Sequence, residues 1–255
     1  MPLHVELIPC LTDNYAYLLY DPAAQLCAVV DPSEAAPVKQ ALEARGLRLT
    51  HILNTHHHFD HTGGNVPLKH EFGAVVVGPE KDRDRIPALD IGVSETAPWQ
   101  FGSYTARILE IPAHTRAHIA FVFQEDSIAF TGDTLFAMGC GRLFEGTPEM
   151  MWTSLSKLMR LPDETRIYCG HEYTLSNGRF AMTLEPGNPA LRDRMREVEE
   201  RRAHAQPTIP SALSLEKETN PFLRPSSAEI RRTLRMEDAD DVAVFAEIRR
   251  RKDAF

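Results

Sequence analysis

The stretch ILNTHHHFDHTGGN, residues 52–65, places four histidines and an aspartate in six consecutive positions directly behind a short apolar run. His56 and His58 stand two apart, so at the fraying end of a strand they project the same way, while His57 between them points elsewhere. Asp60 and His61 follow in the turn. So many titratable groups at a strand end are costly to desolvate unless a metal ion offsets the cost. Three further candidate ligands sit just behind β runs: His114 after ARILEIPA, Asp133 after SIAFTG and His171 after RIYCG. Loops at one end of a sheet bring sequence-distant residues together, so all seven are expected to converge on one edge.

Five histidines and two aspartates exceed what one four-coordinate metal uses, whereas two ions sharing a ligand can use them all. The expected assignment is His56, His58 and His114 on one ion, Asp60, His61 and His171 on the other, with Asp133 bridging both. Imidazole and carboxylate without thiolate suit zinc, iron or manganese. The expected cofactor is therefore a pair of divalent ions, zinc first, with iron or manganese as alternatives. Ions held roughly 3.5–4 Å apart lower the pKa of a shared water towards neutrality and present it as hydroxide, so hydrolysis is the natural chemistry.

At 255 residues the chain is long enough for one large domain, or a medium one with an appendage. With 28 Lys+Arg against 36 Asp+Glu, the net charge of -8 argues against a nucleic-acid or anionic-lipid surface. Any basic cluster must be local. The opening MPLHVELIPCLTDNYAYLLY has no basic leader pattern, and no stretch has the length of a membrane span. Cys10, Cys27, Cys140 and Cys169 are scattered without metal-finger spacing, as free thiols in a reducing compartment would be. The expectation is a cytoplasmic, monomeric protein with a small-molecule partner.

The first two thirds read as short strands: His4 to Ile8, Tyr15 to Tyr20, Leu26 to Val30, His51 to Leu53, Ala74 to Val77, Tyr104 to Ile111, Ile119 to Phe123, Ser127 to Phe130 and Arg166 to Cys169. Helices are predicted from Ser33, as N-cap, to Arg45, with Gly46 as the stop, and over Pro148 to Arg160. After about residue 172 the pattern turns helical. Asn188 reads as an N-cap with Pro189 at the first helical position, and Ser226 to Glu229 reads as a capping box. Val242, Phe245 and Ile248 are expected on one face of a terminal helix. The organisation is a β-rich catalytic domain, 1–172, followed by a helical domain, 173–255.

THHHFDH (55–61) carries the T-H-x-H-x-D-H pattern of the metallo-β-lactamase superfamily, and HT at 114, GDT at 132 and GHE at 170 supply the remaining ligands in order. Within it the chain resembles the hydroxyacylglutathione hydrolase, or glyoxalase II, family over nearly its full length. The resemblance rests on LTDNYAYL (11–18), FTGDTLFAMGCGRLFEGT (130–147), CGHEYT (169–174), NPFLR (220–224) and RRRKDAF (249–255). It implies an α/β fold of the αββα-sandwich type, a binuclear centre, and a C-terminal helical domain that completes the substrate site. The implied reaction converts S-D-lactoylglutathione to glutathione and D-lactate through a metal-bridged hydroxide, with Asp60 and Asp133 as catalytic ligands.

Glutathione brings two carboxylates, so an acidic protein needs a basic pocket. Arg249 and Lys252 are i, i+3 on the last predicted helix and so neighbours on one face. By resemblance, Arg142, Phe144, Tyr173, Arg249 and Lys252 contact the glutathione moiety, the two basic residues of the last helix binding without taking part in the chemistry. Phe144 stands where some members of the family carry tyrosine, and Ala113 and Ala117 stand where glycine is frequent.

Other residues take plainer readings. His57 is expected to support the ligands or face solvent, His118 to be a polar strand-start residue, and Asp31 to cap the turn after LCAVV. Cys169 is expected to be a buried thiol. Competing functions are another thioesterase on this scaffold and a single-iron persulfide dioxygenase. Asp60 and His61, CGHEYT and the basic terminus favour hydrolysis. A nuclease is disfavoured by the acidic charge, and a secreted β-lactamase by the N-terminus.

Overall fold

The apolar alternation of HVELIPC and the nearly unbroken apolar run of NYAYLLYD form β1 (His4–Cys10) and β2 (Asn14–Asp21) of a computed structural model that describes residues 3–255. Next come β3 (Leu26–Val30), α1 (Ala35–Arg45), β4 (His51–Leu53), α2 (Phe59–Thr62), α3 (Asn65–Phe72), β5 (Val75–Pro79) and β6 (Ile91–Val93). These six strands make one sheet in the order β1-β2-β3-β4-β5-β6. β1, β2 and β3 pair antiparallel, and β3 through β6 pair parallel. LCAVV lacks polar alternation because parallel strands are covered on both faces. Val38 and Leu42 of α1 and Leu68 of α3 pack with Leu18, Val29, Ile52 and Val76 on one face. Burying each such side chain contributes about 1.5–3 kcal/mol.

The other face meets a second, antiparallel set: β7 (Trp99–Phe101), β8 (Tyr104–Glu110), β9 (Ile119–Phe123) and β10 (Ile128–Gly132). Tyr17 packs on Phe130 with ring centroids 5.6 Å apart, and His51 packs edge-on against Phe101 at 5.3 Å. Helix, sheet and sheet are thus stacked within one compact unit, formed by the chain up to Glu110 and Ala117–Gly132. Asp31 and the HHHFDH stretch leave from the carboxyl ends of the parallel strands β3 and β4, where ligand sites of open α/β sheets form.

The second unit comprises Ile111–Arg116 and Asp133–Phe255. It holds the hairpin β11 (Leu135–Phe136) and β12 (Gly139–Cys140), helix α4 (Pro148–Leu158), and β13 (Arg166–Cys169) paired with β14 (Ser211–Ala212). Its remaining helices are α5 (Thr174–Leu184), α6 (Pro189–Ala203), α7 (Leu213–Thr219), α8 (Ala228–Leu234) and α9 (Asp241–Asp253). Phe180, Phe222, Phe245 and Trp152 form a chain of ring contacts through its core.

Several local expectations hold and some do not. Asn188 caps α6 by accepting from Leu191 N, with Pro189 at the first position. Gly46, at φ 62°, ends α1 with the paired bonds Gly46 N to Glu43 O and Leu47 N to Leu42 O. Ser33 is not the cap of α1: Glu34 occupies that position, and its carboxylate accepts from Leu11 N instead. Ser227, not Ser226, caps α8, because Glu229 is drawn away to Gly187 N and no capping box closes. On α9 the inward residues are Val244, Phe245, Ile248 and Arg249, with Val242 only half-buried. The short strands β6 and β7 were not foreseen, since three residues each carry too little pattern.

Candidate metal centre

In the first unit, β4 delivers Asn54 and Thr55 into the core, and His56 follows with its ring wholly buried. His56 lies 4.7 Å from the ring of His58 and 4.2 Å from that of His61. The short helix α2 carries Asp60 and His61 in adjacent positions, with Asp60 Oδ2 3.6 Å from His61 Nε2. Asn14 Nδ2 donates to the Asp60 carbonyl at 3.1 Å and to its carboxylate at 3.0 Å, fixing the half-exposed carboxylate. All four expected donors of this unit are therefore gathered on one loop.

Hydrogen bonding fixes which nitrogen of each ring holds the proton. Asp31 accepts from Thr55 N at 2.8 Å, from Thr55 Oγ1 at 2.6 Å and, through Oδ2, faces His61 Nδ1 at 3.1 Å. A carboxylate only accepts, so His61 carries its proton on Nδ1 and its lone pair on Nε2. Thr55 gives its one hydroxyl hydrogen to Asp31, so at 3.0 Å its oxygen accepts from His56 Nδ1, and His56 too presents a lone pair on Nε2. Asp31, His56 and His61 are close enough to hold an ion. The Asp31 oxygens are already occupied by three donors, so Asp31 orients Thr55 and His61. This corrects the expectation that Asp31 caps a turn.

His118 stands immediately before β9. It is fully buried and stacked on His56, with centroids 4.6 Å apart and planes 20° from parallel. Gly132 makes room for this arrangement: a Cβ there would fall 2.3 Å from Thr55 Oγ1 and 2.8 Å from the His118 ring. His57 turns the other way, as strand alternation predicts, with Nδ1 3.0 Å from the buried Asp82 and Nε2 3.3 Å from Arg85.

The second unit gathers the other three. His114 Nε2 and His171 Nε2 lie 3.4 and 3.3 Å from the same oxygen, Asp133 Oδ2. A carboxylate flanked by two imidazoles is the arrangement expected of a ligand shared by two ions. His114 Nδ1 donates to the Arg142 carbonyl at 2.9 Å, which leaves Nε2 facing Asp133. The loop bearing His114 is tied down by Thr134 Oγ1 to Ile111 O and Ser154 Oγ to Pro112 O. Ala113 adopts φ 142°, a conformation that favours glycine, and Gly146 packs against its backbone.

Of the expected substrate contacts, Arg142 is exposed, Phe144 is 60% exposed and edge-on to His114 at 5.2 Å, and Tyr173 stacks on His171 at 4.7 Å. Lys252 is half-buried, its Nζ over the rings of Phe180 and Phe255 and near Ser176. Burial, then the nearby Arg249 and Arg142 charges, hold its pKa below the ordinary lysine value. Arg249 is buried, unlike its helix neighbour. Cys169 is a buried thiol, its pKa pushed up to about 12 by burial, and it donates to the His171 carbonyl.

The family model for the metallo-beta-lactamase superfamily matches residues 12–98 and 101–171, which include all seven candidate ligands. The model for the hydroxyacylglutathione hydrolase C-terminus matches residues 172–255. A hydroxyacylglutathione hydrolase of Methylococcus capsulatus is 54% identical over 99% of this chain and 99% of its own length. The chain belongs to the hydroxyacylglutathione hydrolase family. A second member, from Cereibacter sphaeroides, is 53% identical over the whole of both chains. The metallo-β-lactamase fold is shared with the solved TTHA1623, described in a di-iron-bound form, at 25% identity and a TM-score of 0.62 over 85% of this chain and 98% of that one. The donors fit divalent metal: imidazoles and carboxylates, with His56, His61 and His114 each bonded through Nδ1.

Proposed function

We propose that the chain holds a binuclear metal centre and hydrolyses 2-hydroxyacyl thioesters of glutathione. The substrate is S-D-lactoylglutathione, the products are glutathione and D-lactate, and the reaction is the second step of methylglyoxal detoxification. The observation that carries this reading is 54% identity to a hydroxyacylglutathione hydrolase over 99% of the chain. His56, His58 and His114 serve one ion, Asp60, His61 and His171 the other, and Asp133 both. Zinc is the first choice; iron is the second, because TTHA1623 is described with two irons on the same fold. Among the described residues no helix is long and apolar enough to cross a membrane. The buried free thiols support a reducing, cytoplasmic setting, in which the chain works as a monomer.

Bound ions would supply a water of lowered pKa and polarise the thioester carbonyl. The chain's own part is to hold the tautomers that ligate, through Asp31, Thr55 and the Arg142 carbonyl, and to fix Asp60 through Asn14. A thiol leaving group, with a pKa of about 8.5, departs without a dedicated acid. Arg249, Lys252, Arg142 and Tyr173 are the contacts for glutathione, and Phe144 offers a ring without the hydroxyl that some relatives carry. We take 1–172 as the catalytic segment and 173–255 as the helical substrate-binding segment, a division supported by the two family models meeting at 171 and 172.

The test is thiol release from S-D-lactoylglutathione by purified protein before and after chelation, with metal analysis and the mass in solution. Release lost on chelation from a monomer holding close to two ions per chain is expected. A protein that holds two ions and releases no thiol keeps the site and loses the substrate. One iron, with oxygen consumed on glutathione persulfide, replaces the hydrolase with a dioxygenase.

A further inference from the structure

The hairpin between Asp133 and Arg142 is built in a conformation that it cannot hold by itself. Leu135 pairs with Cys140 and Phe136 with Gly139, leaving a two-residue turn in which buried Met138 takes φ 53°. Left-handed backbone at a side chain of this size persists only where the surroundings impose it. Here four side chains of the C-terminal helices impose it. Asn220 Nδ2 donates to Phe136 O at 3.1 Å and to Gly139 O at 3.0 Å, Asn177 Nδ2 donates to Ala137 O at 3.1 Å, and Glu216 Oε2 accepts from Met138 N at 2.8 Å. Arg249 Nη1 donates to Cys140 O at 2.9 Å. Each backbone residue from 136 to 140 is thus bonded to a side chain from a C-terminal helix or its cap.

This run leads directly to a metal ligand. Gly141 closes the hairpin through its N–H to Thr134 O, with its Cα so close to Asp133 that a Cβ would sit 1.9 Å from the Asp133 carbonyl. The next residue, Arg142, gives the carbonyl that fixes the His114 tautomer. We infer that Arg249, with Asn177, Glu216 and Asn220, is a positioning residue that holds the 136–142 backbone so that His114 and Asp133 are set for metal. This rests on the reading of His114 and Asp133 as ligands. The guanidinium is buried, lies 5.0 Å over the Phe222 ring, and its other terminal nitrogen bonds Asp253. It is built into the protein.

The experiment compares Arg249→Ala, Arg249→Lys, Asn220→Ala and Lys252→Ala in the full chain. Zinc affinity is measured by competition with a chromophoric chelator, and amide exchange across 133–142 is measured on metal-free protein. Circular dichroism confirms that each variant is folded. Arg249→Ala and Asn220→Ala are expected to weaken zinc by about 10–100-fold, the usual effect of removing a group that supports a ligand. They should also speed exchange across the hairpin. Arg249→Lys, which keeps one donor for Cys140 O, should recover part of both losses. Lys252→Ala should leave both at the parent's values while raising KM. Parent-like zinc affinity and exchange in Arg249→Ala, with only KM raised, overturn the inference. Should Arg249→Ala not fold, Asn220→Ala and Arg249→Lys decide by the same two readouts. Neither readout needs a thioester, so a wrong substrate assignment shows separately, as metal-loaded parent protein that releases no thiol.

Discussion

Replacing Asp31 with asparagine tests the tautomer argument with little change of shape. Asp31 sits at φ 47°, a conformation that asparagine also tolerates, so the backbone has no reason to move. The carboxylate receives three donors: Thr55 N, Thr55 Oγ1 and His61 Nδ1. An amide offers one acceptor oxygen. If that oxygen stays on Thr55 N, the new NH2 faces both the Thr55 hydroxyl and His61 Nδ1. The hydroxyl can turn to accept, but its hydrogen then confronts His56 Nδ1. Both rings are pushed towards the tautomer with the proton on Nε2, which removes the lone pair that ligates. His56 and His61 belong to different ions in the proposed assignment, so both should bind more weakly. A factor of 10–100 each is the usual scale, about 1.4–2.8 kcal/mol. Metal-free protein should also lose about 2 kcal/mol for a buried donor left unsatisfied, lowering Tm by roughly 4–8 °C. Chelator competition and thermal melts of metal-free protein measure the two effects. Parent-like affinity for both ions, with only the melting temperature lowered, would refute the reasoning and leave Asp31 a structural residue.

Gly141→Ala is expected to abolish binding of metal at Asp133, because a Cβ placed 1.9 Å from the Asp133 carbonyl and 3.0 Å from His114 Nδ1 forces the backbone apart; metal content per folded chain measures it. Burial and neighbouring cations depress the pKa of Lys252 below 10.5, so its charge is lost at lower pH than that of an exposed lysine. KM for an anionic thioester should therefore rise with pH on the alkaline side, and Lys252→Arg, which stays charged, should remove that rise. A KM profile identical in parent and variant would exclude Lys252 from binding.

What the sequence disclosed about the site was set by local pattern. His56, His58, Asp60 and His61 could be grouped because strand alternation and a turn of a few residues determine their directions. His57 was separated from them on the same ground, and its partners Asp82 and Arg85 lie on the other side. The partners of Asp31, Asn14 and His118 are distant in sequence and so not legible from local pattern: Asp31 meets Thr55 and His61, Asn14 meets Asp60, and His118 stacks on His56. One signal was present. An aspartate at the carboxyl end of a buried parallel strand stands where such sheets place their ligand loops, so Asp31 could have been associated with β4 rather than with its own turn. The strands showed the same division. Leu26–Val30, His51–Leu53, Ile119–Phe123 and Arg166–Cys169 were bounded correctly, and the three-residue β6 and β7, held by their partners, were not seen.

Arg249 and Lys252 meet different surroundings on α9. Three residues apart on a helix, they are neighbours, and similar residues suggest a shared task. The axis of α9 is set, however, by Phe245 and Ile248, which are fully buried. Arg249 follows Ile248 directly and Phe245 by one turn, so it is carried inward with them. A buried guanidinium must find acceptors, because an unpaired one is far costlier to bury than an apolar side chain. It finds the Cys140 carbonyl and Asp253, with the Phe222 ring beneath it. Lys252 lies nearer the frayed end, where the long stem covers Phe180 and Phe255 and leaves the ammonium half-exposed. Two cations one helical turn apart therefore meet different dielectric surroundings. Lys252 can meet an incoming anion without abandoning a partner in the core, while the fork of Arg249 holds the Cys140 backbone from within it.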